Sequence, residues 1–558
     1  MSLPPVYAMC TWLTKKGRVV LYVGFFLLGL RFQIAALRSA GPDLGPVITL
    51  IAGGLTLGAW NTRAALFAFT VAMPLLSGLE QTNFLSCASP PNLVFSASWI
   101  AIAAKELLQK CMNHYSSATI WTIFRPTFYA KTTSDKQSGE KSEGPRSLVE
   151  IDQRQPPSHA HIPFVITDIL IAAVLLSFVW QFWRSRTSAD LWPGFFNRAI
   201  LGYGDRWYFM TSAFLWLQGL FYFQIMHERC VGGRLGNEDS KVGGMTFGTW
   251  IRPMVAVYGV TMAVFFCIQY TFNIPEGWTL AGFQAPYEDI SSFGSIAVTV
   301  FILAIATWRA RPRHILAINV LGCGCLLAMV VASWSRAAWL AGSVFLLLFA
   351  VLRLPRLLAT GLVIITAAVV VIVDVNSERL FYTNQPYLKR LVYLVHLDHW
   401  RDREAPRLNL YTKATLMIKE HPLVGQGIGS FYCTSVNYAQ PNDPISSKPD
   451  FAHNIVLQVA AEEGIPTASL FAGLIAWTLW YGSRTWLALR ETRSQCAADA
   501  SLVLGVTLAL GTYLQTQMTA NSLNVYASNQ FFFWFLMAAI LTTSEHDRDR
   551  STKPLALT

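Results

Sequence analysis

Residues 357–374 read LLATGLVIITAAVVVIVD, a run whose single charge stands at its last position. A transmembrane helix needs about 20 consecutive, mainly apolar residues, so this segment predicts one membrane span. Similar runs recur along the 558 residues, of which 53% are hydrophobic and only 13% charged, about half the charged fraction of ordinary soluble proteins. The sequence therefore predicts an all-α polytopic membrane protein with about 12–14 transmembrane helices and a large, partly helical periplasmic loop.

Hydropathy alone indicates about fourteen spans. Lys15, Lys16 and Arg18 precede the first span, which resembles a signal sequence; with so many spans behind it, we expect an uncleaved anchor. The predicted spans are 19–37, 45–60, 63–80, 91–108, 163–183, 207–227, 251–272, 289–307, 314–332, 337–353, 357–374, 464–482, 499–520 and 524–543.

The distribution of lysine and arginine predicts the orientation, because basic residues concentrate in cytoplasmic loops. With both termini cytoplasmic, the basic loops fall inside and loops such as TANSLN, which lack lysine and arginine, fall outside. One segment breaks the rule, since 184–206 carries several arginines yet falls outside. These arginines either bind an anionic group there or indicate an error in the span count.

The hydrophilic segments complete the expected organisation. Residues 109–162 are rich in Ser, Lys, Glu and Pro, which favours a disordered insert, whereas 375–452 mixes aromatic, aliphatic and charged residues and is expected to fold against the membrane surface. In that loop, LNLYTKATLMIKEHP predicts a helix that ends at Pro422. The predicted regions are N-terminal transmembrane helices at 1–108, a cytoplasmic insert at 109–162, central transmembrane helices at 163–374, a periplasmic loop at 375–452, C-terminal transmembrane helices at 453–543 and a cytoplasmic tail at 544–558.

The net charge of +11 does not require a nucleic acid partner, because basic cytoplasmic loops facing anionic membrane lipids account for it. The candidate site lies at the opposite, outer face. Arg336 separates two spans there and Arg407 precedes the loop helix. A guanidinium binds phosphate oxygens in a bidentate way, and two of them would neutralise a pyrophosphate. The alternative for each arginine is a contact with a lipid headgroup or a surface ion pair.

His453 and Asn454 stand directly before an apolar run in FAHNIVLQVAAEEGIP, residues 451–466. An imidazole titrates near neutral pH and is suited to general-base catalysis, and the N-terminus of a helix favours its neutral form. The alternative is that His453 or Asn454 only caps the helix. On a straight helix Glu462 would lie opposite His453 and Glu463 about 80° away, so neither is expected to orient the ring directly. We expect the two glutamates to pair with another span or with a basic loop residue.

Two further patterns carry weaker signals. HLDHW at 396–400 could offer His396, Asp398 and His399 to a metal, although an exposed loop is the simpler interpretation. The glycines of VGQGIGSF lack the strand and helix of a nucleotide-binding unit, so we interpret them as a flexible turn.

Taken together, Ser-Trp-Ser-Arg at 333–336, the stretch from Arg407 through MIKEHPLVGQGIGSF, and HNIVLQVAAEEGIP resemble the O-antigen ligase/polymerase superfamily of bacterial inner membranes. The shared pattern covers about 320–485, and these ligases typically have about twelve spans. The resemblance implies a glycosyltransferase that moves a glycan from undecaprenyl pyrophosphate to a hydroxyl of lipid A-core at the periplasmic face, with inversion and without a metal or other cofactor. It implies His453 as the catalytic base and Arg336, Arg407 and Asn454 as substrate-binding residues.

Three other functions remain open at this point. A polymerase would use the same donor with a second lipid-linked glycan as acceptor, and a protein O-oligosaccharyltransferase would use a protein. A lipid-linked glycan flippase or another transporter should show charges deep in the membrane or an internal repeat, and the sequence shows neither.

Overall fold

The computed structural model describes an all-α membrane protein. It describes residues 161–186, 208–231, 254–261, 290–307, 313–383, 386–438, 451–491, 497–520 and 527–552, with shorter stretches at 51–56, 68–70, 94–95, 97–98 and 263–264 and the single positions 58, 72, 101 and 251. No strand occurs in these ranges. The first predicted span and the predicted insert, apart from its last two residues, lie outside them.

The helices follow the hydropathy of the sequence. They are α1 His161–Arg186, α2 Tyr208–Val231, α3 Ile290–Ala306, α4 Arg313–Ala332, α5 Arg336–Arg353, α6 Arg356–Val375, α7 Ser377–Phe381, α8 Pro386–Val395, α9 Leu397–Glu420, α10 Ser430–Thr434, α11 Ile455–Glu491, α12 Ala497–Ala520 and α13 Ala527–Thr552, and a 3₁₀ turn covers Ser435–Tyr438. Each predicted span between 289 and 374, and those at 163–183, 207–227, 499–520 and 524–543, coincides with one of these helices.

Three of the described helices are long and apolar enough to cross a membrane, namely Arg336–Arg353, Arg356–Val375 and Ile455–Arg490. The last differs from the predicted span 464–482, because a helical segment precedes it. Gly464 has φ 85° and ψ 165°, which interrupts the helix, and Pro466 lies at the start of the second segment, where a missing N–H does no harm. The span prediction was therefore correct for the second segment and omitted the first.

The core lies among α2, α3, α12 and α13. α3 and α12 pack along their lengths, α2 packs on α13, and α11 contacts both α12 and α13. Nearly every side chain of α12 between 502 and 514 and of α13 between 529 and 541 is buried. By contrast, α6 is apolar but exposed, with Leu357 84% and Ile365 62% accessible. An apolar helix with an exposed surface is what a lipid-facing span requires.

The segment after α6 is helical through most of its described part. It runs through α7, α8 and α9, and α8 packs against α5, α6 and α9. The predicted loop helix is present but longer than expected, since α9 begins at Leu397 and passes through Pro406. Leu410, Ala414 and Met417 are buried along one face of α9, as the helical spacing predicted. This face packs on α11.

Candidate active site

The loop between α9 and α10, residues 421–429, which we call the glycine loop, is hydrogen-bonded to α11 next to the break in that helix. Gly425, Gly427 and Gly429 all have positive φ, between 66° and 100°, which glycine adopts without strain. The amide of Gln426 donates to the Ala461 carbonyl at 2.9 Å and that of Gly427 to the Glu462 carbonyl at 2.7 Å. The glycines were predicted to form a flexible turn; they do form a turn, but hydrogen bonds fix its position.

The side chain of Glu462 also binds this loop through hydrogen bonds. It is only 2% exposed. Oε2 accepts the Gly429 N–H at 2.9 Å, and Oε1 accepts the Phe431 N–H at 3.3 Å and the Gln458 amide at 3.0 Å. A basic residue or another span was the expected partner of the glutamates; Glu462 instead binds backbone amides of the loop.

Gln458 carries this network to the residue before His453. While its Nε2 donates to Glu462, its Oε1 accepts the Ala452 N–H at 3.3 Å. Gln458 is fully buried, so its two hydrogen bonds are shielded from water. The chain that leads into His453 is thus tied, through one side chain, to the same carboxylate that holds the glycine loop.

The roles of His453 and Asn454 at the helix start are distinct. Asn454 caps α11, since its Oδ1 accepts the Leu457 N–H at 3.0 Å. His453 precedes the cap, is half-buried and has φ 49°, a left-handed conformation that few non-glycine residues adopt. Of the two capping alternatives, the structure therefore assigns the cap to Asn454. His453 itself lies outside the helix, at the position before the cap.

The C-terminal part of α1 contacts the glycine loop as well. The Ile428 amide donates to the Ser177 hydroxyl at 2.8 Å, and the Gln181 amide donates to the Gln426 carbonyl. The chain consequently leaves α1 on the side of the bundle where the glycine loop lies. The arginine-rich segment 184–206 lies outside the described residues after Arg186.

Arg336 is the first residue of α5 and follows a tight turn. Ser335 caps the helix by accepting the Ala338 N–H at 3.3 Å, and Trp334 has φ 53°. A bulky residue in this conformation is strained by on the order of 1–3 kcal/mol. The Arg336 guanidinium lies over the ring of Tyr393 on α8, 5.9 Å from its centroid.

Arg407 lies on α9 and is half-buried. Three pairs of neighbouring helices link the candidate residues. α5, which begins at Arg336, packs on α8, and α8 packs on α9. α9 in turn packs on α11, which begins shortly after His453. Lys413, 1% exposed, lies on the buried face of α9 beside Ala414. The elements that carry the predicted residues therefore form a continuous packed series.

The segment that contains these elements matches a known family. Residues 321–472 match the family model described as O-antigen ligase. The chain carries an O-antigen ligase domain. The resemblance to the O-antigen ligase/polymerase superfamily is thereby confirmed, and Arg336, Arg407, His453 and Asn454 all lie within the match. No curated protein gives a significant match to the chain.

Of the possible metal ligands in HLDHW, His396 is the one whose side chain lies among the described residues; those of Asp398 and His399 lie outside them. Nδ1 of His396 lies 2.9 Å from Oδ1 of Asp374, so this ring joins the ends of α6 and α8. Among the described residues, no three His, Cys, Asp or Glu side chains come together as metal ligands would.

A cavity of about 20 Å³ lies under the glycine loop of the O-antigen ligase domain, which is room for one water molecule. Its walls come from α1, α2, Ile428 and α11, and they include Glu462 and Glu463 but none of the predicted site residues. Ser177 bonds to Glu463, while Oε1 of Glu463 has no hydrogen-bond partner among the described residues. The cavity is too small for a sugar.

Sequence reasoning missed Arg390, which lies at the Arg336 turn, and Gln458, which supports His453. Nη1 of Arg390 donates to the Trp334 carbonyl at 2.6 Å across 56 residues. No local pattern marks such a contact. The available signal was the amphipathic segment 386–395, in which Arg390 and Tyr393 are three residues apart and hence share one helix face.

Proposed function

We propose that the protein transfers a glycan from undecaprenyl pyrophosphate to a hydroxyl of lipid A-core at the periplasmic face of the inner membrane. The reaction inverts the anomeric carbon and has no step that involves a metal. An O-antigen ligase domain belongs to a ligase/polymerase type of glycosyltransferase that is integral to the membrane, and a lipid-linked glycan and lipid A-core are substrates of this kind of enzyme in general. The donor lipid, the acceptor and the face of the membrane are our proposal.

The observation that carries the proposal is the position of His453. The backbone of His453 is in a left-handed conformation. The residues on either side of it are fixed, Ala452 by its hydrogen bond to Gln458 and Asn454 by its cap on α11. Such strained, externally fixed residues concentrate at active sites, where the surrounding structure keeps them in place. This histidine lies in the matched domain and borders a helix that packs on the one bearing Arg407.

The proposed chemistry needs one base and a charge-stabilising pair. His453 takes the proton of the acceptor hydroxyl as its oxygen attacks the anomeric carbon of the donor. The bond from that carbon to the pyrophosphate oxygen breaks, and undecaprenyl pyrophosphate leaves with the bonding electrons. Arg336 and Arg407 stabilise the negative charge that develops on the leaving group, and Asn454 contacts the substrate.

The test is transfer in proteoliposomes from a purified undecaprenyl-pyrophosphate glycan to purified lipid A-core. We expect wild-type protein to label lipid A-core. Arg336→Ala and Arg407→Ala should each lose roughly 10- to 150-fold in rate, because each removes a charge-assisted phosphate contact. Longer lipid-linked glycans without labelled lipid A-core would instead identify a polymerase. Wild-type rates in both arginine variants would overturn the pyrophosphate assignment.

A further inference from the structure

The turn before Arg336 holds a conformation that its own sequence does not favour. Trp334 has φ 53°, and neither glycine nor asparagine occupies the position. The turn is pressed against α3, where a Cβ on Gly294 would lie 2.7 Å from Cβ of Ser335 and 2.8 Å from Oγ of Ser333. Because Arg336 begins α5 two residues after Trp334, the geometry of this turn decides where the guanidinium points.

Helix α8 contacts both ends of the turn. Nη1 of Arg390 donates to the Trp334 carbonyl at 2.6 Å, and its guanidinium lies over the Trp334 ring, 5.9 Å from the centroid. One helical turn further, the Tyr393 ring receives the guanidinium of Arg336. Arg390 and Tyr393 thus form one face of α8 that fixes the turn on one side and the functional arginine on the other.

We propose that Arg390 is a positioning residue, which holds Trp334 in its left-handed conformation so that Arg336 meets the donor pyrophosphate. This inference rests on the proposed function. An arginine suits the role because its planar group donates to the carbonyl while it covers the indole face, two contacts in fixed relative geometry. Docking of α8 against the end of α5 then becomes a condition for binding the pyrophosphate.

The proposal is tested by a double-mutant cycle on the full-length protein in detergent. Arg390→Met removes the donor but keeps an unbranched side chain about as long as the aliphatic part of arginine. Lys389→Met is the matched control, which removes a neighbouring cation from the same helix. The readout is the dissociation constant for geranylgeranyl pyrophosphate, compared with that for geranylgeranyl monophosphate. Thermal melting reports on folding.

If Arg390 acts through Arg336, Arg390→Met weakens pyrophosphate binding about as much as Arg336→Ala, roughly tenfold or more, and leaves monophosphate binding nearly unchanged. In the Arg336→Ala background, Arg390→Met then adds less than about twofold, because coupled residues are not additive. Lys389→Met should bind as the wild type does. Should Arg390→Met fail to fold, the same cycle is run with Arg390→Lys, which keeps the charge but loses the planar group.

Losses that multiply in the double variant would show that Arg390 contacts the ligand or acts independently, and would overturn the proposal. Wild-type pyrophosphate binding by Arg390→Met would overturn it too. Failure of the proposed function has a different signature, since Arg336→Ala itself would then bind the pyrophosphate as the wild type does.

Discussion

The carboxylate of Glu462 accepts the backbone N–H of Gly429 at 2.9 Å, although the two residues are 33 positions apart. The bond joins the glycine loop after α9 to the first segment of α11. Through Gln458 the same carboxylate reaches the amide of Ala452, the residue before His453. Loop and helix start are consequently one unit, and damage to either side is expected to move the proposed base.

Glu462→Gln should destabilise the protein, whereas Glu463→Gln should not. Both carboxylate oxygens of Glu462 accept hydrogen bonds from N–H groups. In Glu462→Gln one oxygen is replaced by an NH₂ group, which cannot accept, so we expect the free energy of unfolding to fall by about 1–3 kcal/mol. Glu463 has an oxygen without a partner, so a neutral amide avoids burying a charge there. Thermal melting in detergent measures both. Equal melting temperatures for the two variants would contradict a stabilising role for the hydrogen bonds between Glu462 and the glycine loop.

Gly464→Ala should lower the melting temperature, and Gly473→Ala on the same helix should not. The φ and ψ of Gly464 belong to a region that is essentially restricted to glycine, with a cost on the order of 1–3 kcal/mol for other residues. An added Cβ would also press on the Leu423 carbonyl. Gly473 has open space around its Cβ position, and alanine favours the helix by about 0.5–1 kcal/mol. A harmless Gly464→Ala would show that the break in α11 needs no glycine.

His453→Asn should fold normally and lose on the order of 10²–10⁴ in transfer rate. Asparagine tolerates the left-handed conformation better than most residues, so the backbone can be retained, but its amide cannot accept a proton. The transfer assay measures the loss, and thermal melting reports on folding. Full activity in folded His453→Asn would place the base elsewhere.

Asn454→Asp separates the cap from substrate binding. Aspartate caps a helix as well as asparagine does but offers no NH₂ group, so the melting temperature should stay the same while transfer weakens. Asn454→Ala should lose the cap also, at a cost of about 0.5–2 kcal/mol. If Asn454→Asp transferred glycan at the wild-type rate, Asn454 would be a cap alone.

Cysteines introduced at Ser447 and at Ser188 should both react with a membrane-impermeant maleimide from the periplasmic side. Ser447 belongs to the predicted periplasmic loop, and Ser188 follows α1, whose last turns contact the glycine loop. The background is a variant without the native cysteines. Labelling of Ser447→Cys from the cytoplasmic side alone would overturn the whole site assignment, and labelling of the two positions from opposite sides would contradict the placement of 184–206.

Hydropathy was sufficient to predict most of the helices, because a chain in lipid must satisfy its backbone hydrogen bonds within each span. Residues 357–374 were predicted within two residues of α6. A helix that starts after Asn454 and breaks near Gly464 was expected too, although the predicted span began only at residue 464. What the sequence did not show is that this break packs against the Leu423 carbonyl. Such a contact between distant segments leaves no periodic signal.

The candidate site shows the same difference between local sequence signals and contacts that only the fold creates. Arg336, Arg407 and His453 stand in recognisable local motifs, and residue chemistry suggested their roles. Arg390 and Gln458 act through the backbone carbonyl of Trp334 and the backbone amide of Ala452, and every residue other than proline has both groups. Only the fold determines which of these backbone groups meets a given side chain.

The contact between α1 and the glycine loop also sets the order in which the protein can be completed. The hydrogen bond between Ser177 and Ile428 can form only after Ile428 has been synthesised, 251 residues after Ser177. At about 5–20 residues per second, this delay is on the order of 10–50 s. During that time α1 is already in the bilayer while its partner loop does not yet exist. The candidate site must then be among the last parts to assemble, and agents that slow membrane insertion of α11 should leave an intermediate whose early helices are folded but which is inactive.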